Sequence, residues 1–257
     1  YGVAMWFILT LIDRNVDTNN YFLKLSRNYF SILMLALLCL YYISIVDKKC
    51  LKIPMFPAII YLVISLLAIG RGGIISSILL IFGIAFINYW VYQEDYKKRI
   101  LFVYSGIFLV VFMAVVGKEL GIVDVWFSRF EMLGMKSQGR SLIWNQYFSL
   151  VFHSLKNLIF GCSLQNIEIF ERYAFNLHNS FLQMHCTYGL VFSMAVLFGL
   201  MTSLWKCYQN KEFLVMLLEI VFLFRASTDE MGFAFFTEFL FYYFLLYCLF
   251  DKKKVNL

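Results

Sequence analysis

Charge is what this chain has least of. Asp, Glu, Lys and Arg make up 15% of its 257 residues, against roughly 25% in a soluble domain, while 62% are hydrophobic and 20% aromatic. Mean hydropathy is +0.76. So little charge cannot clothe a core in a polar surface, which excludes a water-soluble globular protein and makes lipid the solvent for most of the 29 Phe and 17 Tyr. Catalytic signatures are missing as well. There is no Walker loop, no HExxH, no GxSxG and no DxD-like site, which argues against a pump, a zinc protease, a serine hydrolase and metal-dependent sugar transfer. The six cysteines (Cys39, Cys50, Cys162, Cys186, Cys207 and Cys248) form no CxxC and no metal-ligand spacing, so no metal and no cofactor is expected. Most lie in or beside apolar runs as small filler; a Cys162–Cys186 bridge is compatible with the order of the chain. The net charge of +6 is dispersed singly or in threes at the ends of apolar runs. That is how orientation signals are placed, and it excludes a nucleic-acid partner.

What the chain does have is one long polar interruption, from Gly117 to Asn179. It contains Lys118, Glu119, Asp124, Arg129, Glu131, Lys136, Arg140, Lys156, Glu168, Glu171, Arg172 and His178 among aromatic residues. Such a segment cannot lie in hydrocarbon, where its backbone and charges would go unsatisfied. It belongs in water or at a wet cavity on the membrane surface, and loops held by a rigid scaffold are where chemistry usually sits.

On either side, apolar runs alternate with short charged joints. Residues 1–12 read as the tail of a span, and a start inside an apolar run, without a signal peptide, leads us to expect earlier spans before Tyr1. Spans follow at 29–46, from Pro54 and Pro57 to about 69, at 74–92 after the break Gly70-Arg71-Gly72-Gly73, and at 100–116. Beyond the loop come 181–204, a short span at 213–224, a polar turn at 225–232 and a last span at 233–250. That makes about eight crossings of roughly 20 residues. The expected fold is all-α, a polytopic transmembrane bundle with a large loop bearing short helices. Its regions are 1–116 (N-terminal spans), 117–180 (loop) and 181–257 (C-terminal spans and basic tail).

Lys48, Lys49 and Lys52, then Lys97, Lys98 and Arg99, then Lys206 and Lys211, then Lys252, Lys253 and Lys254 fall on one side of this plan. The opposite short joints hold Arg14, Lys24, Arg27, Arg71 and Arg225. The positive-inside rule places the first set in the cytoplasm and therefore the long loop and Arg71 outside.

Three clusters in this outer half can carry chemistry. Gly70-Arg71-Gly72-Gly73 sets a permanent cation among glycines that permit close approach, which suits a phosphate-binding corner; the structural alternative is a tight turn whose arginine snorkels to headgroups. Gly139-Arg140 opens a segment where Trp144, Tyr147, Phe148, Val151 and Leu155 recur at helical spacing, as in a helix lying in the membrane interface. There Arg140 either meets a substrate or pairs with a loop carboxylate. His178-Asn179 ends the loop. Histidine exchanges a proton near neutral pH without help, although a lone histidine at a span mouth is often a hydrogen-bonded structural residue. His185, seven residues on, reads as structural or supporting, and His153 as interfacial. The carboxylates Glu119, Asp124, Glu131, Glu168 and Glu171, with Asp229 and Glu230 in the last outer turn, read as solvated loop charges.

The order of these features carries a resemblance. An arginine in a Gly-rich corner is followed by a long outer loop with Gly139-Arg140-Ser141-Leu142-Ile143-Trp144. Then come Asn157-Leu158-Ile159-Phe160-Gly161 and His178-Asn179-Ser180-Phe181-Leu182 entering a span, with Gly189-Leu190 further in. From about Ile53 to Leu204 the chain resembles the O-antigen ligase and O-antigen or capsule polysaccharide polymerase family of bacterial inner membranes. Leu158 stands where that family usually has proline, and Ser163 where it has a second glycine.

The resemblance implies a membrane glycosyltransferase of lipopolysaccharide or capsule biosynthesis with its active site facing the periplasm. It implies metal-independent transfer of glycan from an undecaprenyl-diphosphate carrier to the hydroxyl of an acceptor sugar, among membrane lipids and with a chain-length regulator as a further partner. His178 would then be the catalytic base. Arg71 and Arg140 would bind the diphosphate, supported by Gly72, Gly73, Trp144 and Asn179. A polymerase joining repeat units is the first expectation and a ligase acting on lipid A core the second. A lipid-linked sugar transporter without catalysis would need the spans and cations but not His178.

Overall fold

The computed structural model describes residues 1–12, 28–46, 52–68, 70–91, 95–97, 100, 104, 138–172, 175–231 and 237–247. Every regular element among them is helical. In chain order these are α1 (Gly2–Ile12), α2 (Asn28–Val46), α3 (Phe56–Ala68), α4 (Arg71–Phe86, continued by a π-turn over Ile87–Val91) and α5 (Gln138–Phe152). They are followed by α6 (Leu155–Phe160), α7 (Glu168–Arg172), α8 (Ser180–Gln209), α9 (Phe213–Thr228) and α10 (Glu238–Tyr247). Tyr29–Val46, Arg71–Val91 and Ser180–Gln209 are long and apolar enough to cross a membrane, and Phe56–Ala68 and Glu238–Tyr247 are shorter apolar helices. The chain is thus all-helical in its described residues and compatible with a membrane protein. The span expected at 100–116, most of the polar stretch up to residue 137 and the basic tail lie outside the described residues.

The apolar helices share one core in which Phe30, Leu35, Tyr42, Tyr61, Ile64, Leu80, Leu218, Phe222, Phe241 and Phe244 are buried. In lipid, burying such side chains gains little over leaving them in acyl chains, so close packing and internal hydrogen bonds must hold the helices together. The sequence supplies both. Gly73 on α4 is so close to α2 that an added Cβ would stand 2.7 Å from Ser31 Cβ and 3.1 Å from Ser65 Oγ of α3. The Tyr61 hydroxyl is 2.6 Å from Ser76 Oγ, which donates to the Gly73 carbonyl. At the far end Asn88, in the π-turn, accepts from Ile53 N and donates to Ile53 O, both at 2.8 Å. That pair satisfies backbone groups just ahead of α3, where Pro57 sits comfortably in the first turn.

Three sequence expectations are corrected by the helices. The glycine-rich break is shorter than expected: the preceding helix ends at Ala68, Gly70 is an extended N-cap, and Ile74 N donates back to its carbonyl. The next helix therefore starts at Arg71 rather than Ile74, with Gly73 packed inside it. Nor does the polar turn begin at residue 225. Helix α9 runs on to Thr228, and Arg225 in its last turn pairs with Asp229, the C-cap. Finally, of the stripe Trp144, Tyr147, Phe148, Val151 and Leu155, only Tyr147 and Val151 are buried, in line with Ile143, while Phe148 is exposed and Leu155 opens α6, also exposed.

Helices α5, α6 and α7 gather a second, smaller core of Ile143, Tyr147, Val151, Leu164, Phe170 and Leu177. It docks on α8 through two glycines. Gly161 ends α6 at φ 85, ψ −179, and Gly189 kinks α8 at φ 78, ψ 179. Only glycine occupies this backbone region readily. A Cβ on Gly161 would land on the Cys186 carbonyl oxygen, and one on Gly189 on the Ile159 carbonyl oxygen. The two positions form a seam where two backbones touch.

Gly189→Ala should therefore cost about 1–3 kcal/mol from backbone strain alone, with the clash adding to it. Thermal unfolding of the purified protein in detergent should show a clearly lower Tm; an unchanged Tm would contradict the seam.

Candidate functional site

The site is assembled where the start of α8 meets the end of α9. Asn179 is the N-cap of α8: its Oδ1 accepts from Phe181 N at 2.9 Å and Leu182 N at 3.1 Å. Its Nδ2 donates to the Ser227 carbonyl at 3.0 Å, so the same side chain satisfies orphan donors of one helix and an orphan acceptor of the other. Ser180 repeats the arrangement. Its hydroxyl donates to the Asp229 carbonyl and accepts from Met231 N. These bonds fix residue 178 beside residue 229.

His178 itself is held at φ 51, a left-handed conformation uncommon outside glycine, with its N–H donating to Asn176 Oδ1 at 2.6 Å. Strained backbone of this kind gathers at functional positions. The imidazole Nδ1 is buried and 3.6 Å from Asp229 Oδ1, an ion-pair distance slightly too long for a hydrogen bond. The side chain is nevertheless 30% exposed. With Nδ1 buried, that exposure falls on the rest of the ring, where Nε2 lies.

Asp229 is the centre of the cluster. Its Oδ2 accepts from Arg225 Nη1 and Nη2 at 3.4 and 3.3 Å, and its Oδ1 accepts from Glu230 N. Arg225 is 2% exposed and also donates to Thr228 Oγ1. Burial works to raise the Asp229 pKa, but His178, Arg225 and Arg140 outweigh it and hold the carboxyl below its ordinary value. Glu230 goes the other way, pushed up by burial and by the Asp229 charge. Asp229 is the anion of the pair.

One further cation, Arg140, acts on this cluster, and Arg71 acts on Arg140. Gly72, next to Arg71 at the start of α4, lies against the Arg225 side chain: an added Cβ would be 3.2 Å from Nη1 and 2.8 Å from Thr228 Oγ1. Arg140, in the first turn of α5, feels Asp229, Arg225 and Arg71 together. Its pKa is lowered, chiefly by burial, with Asp229 opposing and the two arginines adding to the shift. Trp144, one turn on, donates Nε1–H to the Leu177 carbonyl at 2.8 Å and so ties the Arg140 helix to the residue preceding His178.

All the candidates named from sequence are thus in described residues. His178 and Arg140 act on Asp229, Gly72 lies against its partner Arg225, and Arg71 acts on Arg140. Trp144 and Asn179 act as braces, and Gly73 faces Ser31 and Ser65 in the helix packing. His185 is used elsewhere: Nε2 lies 2.8 Å from the Leu158 carbonyl and Nδ1 2.5 Å from the Tyr147 hydroxyl. A carbonyl only accepts, so Nε2 carries the proton and both ring nitrogens are engaged. Glu168 pairs with Arg172 in the open, and Glu171 is exposed. Sequence reasoning missed Asp229 and Arg225, which were read as solvated turn charges and are instead buried. Their signal was the i, i+4 spacing of opposite charges at the end of an apolar run, where each needs the other.

Asp229→Asn leaves Arg225 buried without its counter-charge and should cost about 3–5 kcal/mol. Because the folded pKa is depressed, the contribution of the carboxylate is present above the ordinary aspartate value of 3.8 and is lost as pH falls through the lower folded one. Wild-type Tm should accordingly drop steeply on acidification in that range, and the Asn variant, already destabilised, should lack that component. A Tm profile that superimposes for the two proteins would remove Asp229 from this role.

Compared with protein-family models, curated proteins and solved structures, the chain finds no match.

Proposed function

We propose that this protein is a membrane glycosyltransferase that joins glycan units carried on a polyprenyl diphosphate, without a metal, at the outer face of a bacterial inner membrane. The observation that carries the reading is the cluster of His178, Arg225 and Arg140 around the depressed carboxyl of Asp229, with Arg71 acting on Arg140. Burial and neighbouring cations act together on Arg140, so an anion entering this corner would relieve both. A lipid diphosphate brings two phosphates to the membrane face, where planar guanidinium groups bind phosphate oxygens in forked pairs.

Chemistry follows from the same geometry. An acceptor sugar hydroxyl must lose its proton as it attacks the anomeric carbon of the donor. His178 takes that proton at Nε2, while Asp229 facing Nδ1 favours the tautomer with the proton on Nδ1 and stabilises the imidazolium that forms. The glycosidic bond to phosphate breaks, and Arg71 and Arg140 hold the negative charge that develops on the departing diphosphate. Arg225 stays behind the carboxylate and keeps it ionised. Joining repeat units to one another, as in O-antigen or capsule polymerisation, is the form of the reaction we favour.

Reconstituted protein with a purified lipid-linked oligosaccharide tests this directly. Arg71→Lys and Arg140→Lys should each lose most product at normal protein levels, because lysine keeps the charge but not the fork. His178→Gln should lose about 10²–10⁴-fold in rate while still binding the lipid-linked donor. Full activity in the His178→Gln protein would leave the arginines as a binding site only and refute the general-base role.

A further inference from the structure

We infer that Cys162 and Cys186 are a redox-active dithiol that closes to an intrachain disulfide, sealing the loop that carries His178 onto α8. The two residues already behave as a bonded pair. Cys162 N donates to the Cys186 carbonyl at 3.1 Å, and Cys186 Sγ donates to the Cys162 carbonyl at 2.9 Å. Both are free thiols in this structure, and each is tied to the other's backbone carbonyl. Backbones joined by such a hydrogen bond stand at about the 4.4–6.8 Å Cα separation that a disulfide spans. Both residues are half-buried, whereas the other described cysteines, Cys39 and Cys207, are fully buried in the apolar core and far from each other in the chain.

The position also has a structural consequence. Cys162 follows Gly161 and Cys186 precedes Gly189 by one turn, so the pair stands on the glycine seam where α6 touches α8. Between the two cysteines lie α7, Leu177, His178 and Asn179. A covalent bond there would hold the loop to α8 independently of the apolar contacts of Leu164, Phe170 and Leu177. Chain-closure entropy then favours the folded loop, as for any bridge across a segment of this size.

The oxidant is a small-molecule or protein disulfide of the kind present in an oxidising compartment. Cys162, outside the span and with its pKa lowered by the Cys186 thiol beside it, attacks as thiolate on one sulfur of the oxidant. The oxidant's S–S bond breaks and one thiolate leaves, giving a mixed disulfide. Cys186 then loses its proton and attacks the Cys162 sulfur, expelling the second thiolate. Both protein sulfurs are oxidised, both oxidant sulfurs are reduced to thiols, and the two protein protons end on them.

Full-length protein in detergent, reduced and then incubated with oxidised glutathione, provides the test. Blocking with N-ethylmaleimide, digestion and mass spectrometry should yield a Cys162–Cys186 cross-linked peptide that dithiothreitol separates, together with an upward shift in Tm. Cys186→Ser should stop at the glutathione mixed disulfide on Cys162, which isolates the first step from any effect on folding. Two results would overturn the inference: both thiols alkylated by N-ethylmaleimide after oxidation, or a mixed disulfide that persists on wild-type Cys162. Neither result depends on glycosyl transfer, so the fate of the dithiol and that of the proposed activity are read separately.

Discussion

The junction of α8 with α9 depends on two short side chains. Asn179 and Ser180 together satisfy backbone groups at the start of one helix and just past the end of the other. A helix end buried without such partners would leave several polar groups unsatisfied in a medium that offers no water. Because the bonds run between specific residues, they fix register as well as proximity: Ser180 reaches the carbonyl of Asp229 itself, which brings its carboxylate to within 3.6 Å of His178 Nδ1. Capping here sets the geometry of the candidate site.

Charge burial follows from that junction. An arginine that is 2% exposed is tolerable only with its carboxylate, and Asp229 supplies one oxygen to it. The other oxygen is left for the neighbouring backbone N–H and for His178. Dividing the carboxylate in this way makes Arg225 a support for the histidine rather than a competitor for it. The glycine at position 72 belongs to the same arrangement, because an added Cβ would press on Thr228 Oγ1 and the Arg225 guanidinium.

Much of this was legible in the sequence, and for identifiable reasons. Composition alone implied helices in lipid, and the helical elements agree. Arg71, Arg140 and His178 stood out because charge and histidine are rare here, so their positions at the ends of apolar runs were informative. The pairing of Arg225 with Asp229 was not seen, since spacing alone does not say whether an i, i+4 pair lies in water or in protein. The stripe of α5 was read only in part: Tyr147 and Val151 are buried but Phe148 is exposed, because a hydrophobic pattern does not tell a buried aromatic from an exposed one.

The two histidines of the α8 start show how hydrogen bonding separates roles that sequence leaves equal. His178 and His185 stand seven residues apart, both near the mouth of the same helix. His185 has one nitrogen against the Tyr147 hydroxyl and the other against the Leu158 carbonyl, a backbone group that the end of α6 would otherwise leave unsatisfied. His178 has its Nδ1 turned to a carboxylate while its side chain stays 30% exposed. An imidazole can pass a proton on only if one nitrogen is oriented and the other accessible. Of the two, His178 alone meets that condition.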